Sequence, residues 1–386
     1  MPVRVCVIGG GLAGAMLTWR LAGQTRWELD LMTGDTGIPD ATAASGGAVR
    51  AYERHPEQRR LAALSLMELR SSRTLRRWAQ FRPLESAYLL GTPADGGDGL
   101  DTELAEIEAL LPGSARRGTA ADLAALGWAG VPADAVAVLE RVAGYTAPGA
   151  LRAAALAARA VRRRVRVLTR RAESVAATPH GSVAVTAAGR QREYETVVIA
   201  TGAWTPALLQ ASGLPAGGYR TKSIQYGVHA TEGWRPTQFV DETTGLYGRP
   251  APEGGLLLGL PTERWDVDPA RPPHLAELSG TAARLAQARF PKLRLGPVRS
   301  TATAADCYAD QPVLCLRPVL DTVHQLLTFT GGAGGSVKTV LAASQLAADQ
   351  LAGAHRRIGA AADTPRSPSA PIGSHLLGRL RERSQR

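Results

Sequence analysis

The chain is poor in the residues that announce several kinds of chemistry. Its three cysteines, Cys6, Cys307 and Cys315, make no disulfide framework and fall at no zinc-ligand spacing. No His-Glu-x-x-His and no Gly-x-Ser-x-Gly occurs, so the zinc-protease and α/β-hydrolase signatures are missing. No apolar run reaches the roughly 20 residues that span a bilayer. The N-terminus reads as folded structure rather than as a signal peptide, and a cytoplasmic protein is expected. With 386 residues, 45% of them hydrophobic, the chain can bury the cores of two domains.

Negative charge is in deficit, 34 Asp and Glu against 45 Lys and Arg, for a net +11. The surplus does not form a nucleic-acid-binding pattern. Residues 356–386 hold seven Arg against Asp363 and Glu382, a net +5 in one short tail. That tail is Pro/Ser-rich over 364–371, a disorder-type composition, with a short amphipathic pattern over 376–381. A second basic cluster, Arg159 to Arg171, ends a helix, where cations complement the dipole, and enters a strand; it reads as a solvated face before an anion-binding patch. The expected partners are small molecules, with no nucleic acid and no membrane, for a monomer or homodimer.

What the chain does have is concentrated in its first thirty-three residues. Val3 to Ile8 is a short apolar run of β-type residues, and Gly9-Gly10-Gly11-Leu12-Ala13-Gly14 follows at once. Ala15 to Leu21 has a helical pattern, and Trp27 to Met32 alternates like a second strand. In that setting Gly9 permits a tight turn, Gly11 lets backbone approach a pyrophosphate, and Gly14 lets helix and strand pack closely. The phosphates would then sit at a helix N-terminus, among unpaired N–H groups. One element departs from the dinucleotide pattern. Thr33 stands where an acidic residue ordinarily holds the ribose hydroxyls, and Asp30 alternates to the wrong face. A plain NAD site is therefore not indicated.

Further along, Pro148 to Arg164 reads as a helix, with strands over 165–168, 172–177 and 182–187. The buried run Val197 to Ala200 leads into Thr201-Gly202-Ala203-Trp204. Strand-like segments follow at Ile224 to Ala230 and Leu256 to Leu260, with a helix over 275–289. A strand at Gln325 to Thr330, a second glycine loop and a closing helix from Ser336 to Leu351 complete the pattern. The expected class is α/β, α+β overall, with a Rossmann-like domain interleaved with an antiparallel-sheet domain.

Five separated signatures carry a family resemblance: Val7 to Gly14; Ala44-Ser45-Gly46-Gly47-Ala48-Val49-Arg50; Val198 to Trp204; Asp310-Gln311-Pro312-Val313-Leu314; and Gly331 to Lys338. In this order the chain resembles the D-amino-acid oxidase superfamily of flavoproteins, nearer the sarcosine oxidase and N-methyltryptophan oxidase-like branch. The resemblance implies FAD, bound by a domain made of 1–80, 146–215 and 301–355. A substrate domain of 81–145 and 216–300 and the basic tail 356–386 complete the division. It implies that Ser45, Gly46 and Gly47 lie along the flavin, with Arg50 near the ring. Val175 is expected to receive the adenine through its backbone. Thr201, Gly202 and Trp204 are expected at the carboxyl edge of the sheet, with Gly334, Gly335 and Lys338 at the pyrimidine end or on a substrate carboxylate. A cation there stabilises negative charge on the reduced ring.

The implied reaction is oxidation of an amine or amino acid to the imine, with hydride passing to flavin N5. Tyr247 and Arg249, in Tyr247-Gly248-Arg249-Pro250, are the expected substrate residues with Lys338, joined by Arg50 or Arg54 where the loop turns inward. An arginine suits a carboxylate because its planar fork binds both oxygens. Relatives carry an oxygen-activating lysine in a Gly-x-Lys-x-Gly strand, where this chain has Gly255-Leu256-Leu257-Leu258-Gly259, and a cavity histidine where it has Pro261. Leu257 thus leaves oxygen and another electron acceptor both open. A flavin monooxygenase or halogenase is the second reading, although Phe329-Thr330-Gly331-Gly332-Ala333 lacks the Gly-Asp pair those enzymes carry. A non-enzymatic flavin-binding subunit is the third. His229 and His324 read as structural strand residues before they read as bases, and Trp265-Asp266-Val267-Asp268 as cavity wall or plain loop. The resemblance also makes Cys307 a candidate for covalent FAD attachment, with Cys6 and Cys315 in the core.

Overall fold

The structure, a computed structural model, describes residues 2–24, 26–34, 37, 39–91, 98–160, 164–320 and 323–361. Its first sheet grows outward from Val3–Ile8. Trp27–Met32 and Thr196–Ile199 flank that strand in parallel, Val165–Leu168 and Val323–Thr330 extend it, and Cys315–Leu320 closes one edge antiparallel. Central parallel strands are buried on both faces, which is why the run Val197-Val198-Ile199 is continuously apolar. On one face Val5, Val7, Leu29 and Leu31 pack against the helices Leu12–Ala22, Pro148–Ala160 and Ser336–Ala361. On the other, Cys6, Ile8 and Ile199 meet a three-stranded meander of Ser174–Ala177, Val183–Ala187 and Arg190–Tyr194.

The second large sheet has eight strands, in the order Arg294–Ala309, Tyr219–Glu232, Gly255–Gly259, Leu246–Ala251, Gln238–Asp241, Ser86–Leu89, Val136–Glu140 and Ala115–Thr119. Strand alternation sorts its faces. Leu256, Leu258 and Phe239 pack beneath the helix Ala276–Arg289 and Phe290. Leu257 and Arg249, cross-strand partners, face the other way, toward the first sheet.

Several elements run longer than their sequence patterns suggest. Tyr219–Glu232 has 14 residues where seven were expected, because Thr221, Ser223 and Gln225 are buried polar residues that hide the apolar alternation. The closing helix continues to Ala361, while the Pro/Ser-rich segment and the 376–381 pattern lie outside the described residues. Among the described residues no helix is long and apolar enough to cross a membrane.

Candidate active site

Between the two sheets lies a cavity of about 1070 Å³. Its first end is the glycine turn after Val3–Ile8. Gly9 has φ +119°, and a Cβ there would strike the Ala200 carbonyl, while one on Gly14 would strike the carbonyl of Gly9. Both glycines are therefore demanded by strand–helix packing. Gly11 differs: its Cβ direction holds only Thr42 Oγ1, 3.7 Å away, so the space in front of this helix N-terminus is open to a ligand. The first turn of Leu12–Ala22 carries no acidic residue, and Thr42 Oγ1 accepts the Leu12 N–H at 3.0 Å. The remaining N–H dipoles suit an anion.

Thr33 lines the cavity at the end of the second strand. Asp30 is turned away and 1% exposed, held by Arg166 at 2.7 Å and by the Tyr194 hydroxyl at 2.7 Å. Val167, Arg171, Ala172 and Glu173 continue the wall, with Thr201, Gly202 and Trp204 opposite. Two expectations need correction here. Arg171 borders the cavity, so the Arg159–Arg171 cluster is not only a solvated face. Val175 does not reach the cavity: it is 1% exposed in the core, and its N–H is given to Ser212 Oγ at 2.9 Å. The cavity is met just before this strand, at Ala172 and Glu173.

Residues 44–48 and Arg50 line the cavity; Val49, Ala51 and Tyr52 are anchored in the apolar core, and polar contacts hold the rest. A Cβ on Gly47, at φ +69°, would strike the Thr146 carbonyl, and the Gly47 carbonyl accepts the Thr146 N–H at 2.8 Å. Gly47 N donates to Ser45 Oγ at 3.2 Å. Glu140 Oε1 accepts the N–H groups of Ala51 and Tyr52 at 2.7 and 3.1 Å, and burial pushes its carboxyl up to about 7. Arg50 turns inward to line the cavity and pairs with Glu53 at 2.9 Å, whereas Arg54 turns outward onto Glu242 at 2.6 Å.

On the substrate side, Tyr226, Tyr247, Arg249, Leu257, Pro261 and Lys222 reach the cavity. The Tyr247 hydroxyl donates to the Gln225 carbonyl at 3.1 Å. Arg249 stacks over Tyr145, 4.3 Å from the ring centroid, and uses Nε on Gly46 O and Nη1 on Pro250 O. Its Nη2 has no protein partner among the described residues. Burial pushes the phenols of Tyr226, Tyr247 and Tyr308 up, so all three are hydrogen-bond donors at neutral pH.

At the second glycine loop Gly334 and Lys338 line the cavity. Gly335 does not; its N–H is spent on the Gly332 carbonyl at 2.9 Å. Cys307 is a further correction. On Arg294–Ala309 its neighbours Asp306 and Tyr308 face the cavity, while Cys307 is 1% exposed among Cys6, Tyr219 and Leu326. Burial pushes its thiol up to about 12, the opposite of an activated nucleophile. Asp306 instead accepts the Gly334 N–H at 3.1 Å and fixes the loop. Cys6 is buried as expected.

His229 is buried away from the cavity, and the side chain of His324 lies outside the described residues. Trp265 packs on the outer side of Tyr308 and under Lys222, and Asp266 pairs with Arg220 at 2.5 Å, so this segment buttresses the wall without lining it. Sequence reasoning missed Thr42, Lys222, Tyr226, Asp306 and Tyr308. Strand alternation around Cys307 is the signal that would have exposed the last two.

The family model described as DAO, FAD dependent oxidoreductase, matches residues 4–350. A curated protein, the tRNA 5-methylaminomethyl-2-thiouridine biosynthesis bifunctional protein MnmC of Verminephrobacter eiseniae (strain EF01-2), is 33% identical over 220 residues. That match covers 54% of this chain and 34% of the relative, so the chain spans about a third of that protein's length. Glycine oxidase from Geobacillus kaustophilus has a similar fold, with TM-score 0.70 and 18% identity over 92% of this chain and 95% of that one. Iminodiacetate oxidase (IdaA) from Chelativorans sp. BNC1 gives 0.68 and 17% over 91% and 95%. L-alpha-Glycerophosphate oxidase from Mycoplasma pneumoniae gives 0.71 and 12% over 90% and 94%. The glycine turn that opens this cavity and a family match running from residue 4 to residue 350 lead to one conclusion: the chain belongs to the DAO family of FAD-dependent oxidoreductases.

Proposed function

We propose that this enzyme oxidises the C–N bond of a small amine or amino acid carrying a carboxylate, giving the imine. The carrying observation is Arg249, a half-buried arginine at the cavity wall whose Nη2 is left over once Nε has gone to Gly46 and Nη1 to Pro250. A guanidinium held in place at a cavity wall with donors to spare is suited to take a carboxylate.

The residues fit FAD. Gly11 and the helix start at Leu12 suit the pyrophosphate, Thr33 and Ala172 the adenosine end, and Ser45, Gly46, Gly47 and Arg50 the ring. When bound, FAD supplies the hydride acceptor. The chain's own task is to hold the substrate carbon in front of it. Arg249 holds the carboxylate, Lys338 and Arg50 add positive charge to the same wall, and the Tyr226 hydroxyl is a further donor. Tyr247, tied to Gln225, closes the cavity beside Gly259. Leu257 stands against Gly46 where relatives carry a lysine, and the cation beside it is the Arg249 guanidinium on the Gly46 carbonyl, so oxygen and another acceptor both stay open. The burial of Cys307 supports FAD held without a bond to that thiol. The six-stranded sheet is read as the centre of the FAD domain and the eight-stranded sheet as that of the substrate domain, in a cytoplasmic protein.

The test is product identification. FAD-loaded enzyme with an artificial dye acceptor should convert an amino acid or N-alkyl amino acid to the carbonyl compound and amine that its imine yields on hydrolysis. Turnover only of hydroxy compounds would overturn the C–N reading.

A further inference from the structure

Behind the cavity wall two cations converge on one carboxylate oxygen. Lys338 Nζ lies 2.5 Å from Glu53 Oε1, and Arg50 Nη2 lies 2.9 Å from the same atom. All three side chains are nearly inaccessible, at 11%, 8% and 12% exposure for Lys338, Arg50 and Glu53. Lys338 and Arg50 line the cavity, but Glu53 does not. The nearby carboxylates have other engagements. Glu140 is taken by the amides of Ala51 and Tyr52, and Glu242 by Arg54 and the Tyr88 hydroxyl. The Arg50 guanidinium also lies over the Tyr88 ring, 4.9 Å from its centroid.

We propose that Glu53 is a positioning residue that holds the Lys338 ammonium and the Arg50 guanidinium side by side, so that this wall presents one net positive charge and selects a substrate with a single carboxylate. The proposal rests on the substrate reading above. Two like charges buried together oppose each other, and water is not present to screen them. Burial and Arg50 both push the Lys338 ammonium down from its usual range, while Glu53 and, from farther away, Glu140 push it up. The groups facing Lys338 are thus Arg50 and Glu53 from the loop and Glu140 from Val136–Glu140, with Tyr88 and Glu242 one step beyond. A lysine whose ionisation is lowered is charged at low pH and loses its charge as pH rises. Glu53 opposes that loss.

The experiment titrates FAD-loaded full-length enzyme with sodium propionate from about pH 6 to pH 9, following the visible flavin spectrum. The Kd of wild type should change less across this range than that of Glu53→Gln. Glu53→Gln should bind comparably at the acid end and weaken by about tenfold for each pH unit above the lowered Lys338 ionisation. Lys338→Met should bind weakly and evenly, and adding Lys338→Met to Glu53→Gln should abolish the pH dependence. A Glu53→Gln profile as flat and as tight as wild type would overturn the proposal. Where Glu53→Gln fails to retain FAD, Glu53→Asp replaces it. That variant keeps the charge but sets it back, so it should bind more weakly at every pH, and wild-type affinity would overturn the proposal. Absence of propionate binding by wild type itself would instead overturn the substrate-site reading on which the proposal rests.

Discussion

Arg249 Nε donates to the carbonyl of Gly46 at 2.5 Å, joining the substrate-facing sheet to the loop that crosses the cavity. The same guanidinium stacks on Tyr145 and gives Nη1 to Pro250, so its orientation is fixed before any ligand arrives. Lysine has neither the fork nor the planar face. Arg249→Lys should keep FAD but weaken carboxylate-substrate binding by about 10- to 100-fold, the worth of one charge-assisted hydrogen bond of roughly 1.5–3 kcal/mol. Substrate titrations of the two proteins check this.

Glu140 links the same loop to pH. Its carboxyl is raised from 4.5 to about 7, chiefly by burial, against Arg50 and two backbone N–H groups that act the other way. A raised acid contributes stability that is complete below its unfolded value and lost as pH climbs through the folded one. Glu140→Gln keeps an oxygen for Ala51 and Tyr52 but cannot ionise. Its stability relative to wild type should therefore improve between about pH 5 and pH 8, by up to ~3 kcal/mol. Urea unfolding at both pH values checks this, and a constant difference would count against it.

At the phosphate end, Gly14→Ala places a methyl group on the carbonyl of Gly9. The strand and helix must separate, and the space before Gly11 changes shape. Loss of FAD retention together with a lower Tm is expected, measured by flavin content after gel filtration.

Cys307→Ala should leave FAD content unchanged, because the thiol faces the core and not the cavity. Acid precipitation of wild type should release the yellow colour to the supernatant. Colour kept in the pellet of wild type and lost in Cys307→Ala would reverse the assignment.

The glycine turn was legible because its constraint is local. Gly9 and Gly14 answer to backbone collisions within one strand–turn–helix unit, and the flanking runs are apolar as buried parallel strands must be. The inward turn of Arg50 and the cavity positions of Tyr247, Arg249 and Leu257 were legible through the resemblance. Cys307 and Val175 were not placed correctly because each depends on the phase of a strand. A shift of one residue exchanges faces, and polar residues on both sides of Arg294–Ala309 hide the phase. Lys222 was hidden by the buried polar residues Thr221, Ser223 and Gln225 beside it. The meeting of Glu53 with Lys338 joins segments far apart in the chain, and only the folded topology brings them together.

The most direct test of the central claim is anaerobic mixing of the FAD-loaded enzyme with paired substrates, amino acids and N-alkyl amino acids against the matching hydroxy acids and glycerol phosphate. The flavin colour should bleach with at least one amine and not with its hydroxyl counterpart, and Arg249→Met should slow that bleaching while FAD stays bound. Bleaching by hydroxy compounds alone, or equal rates in wild type and Arg249→Met, would contradict the account.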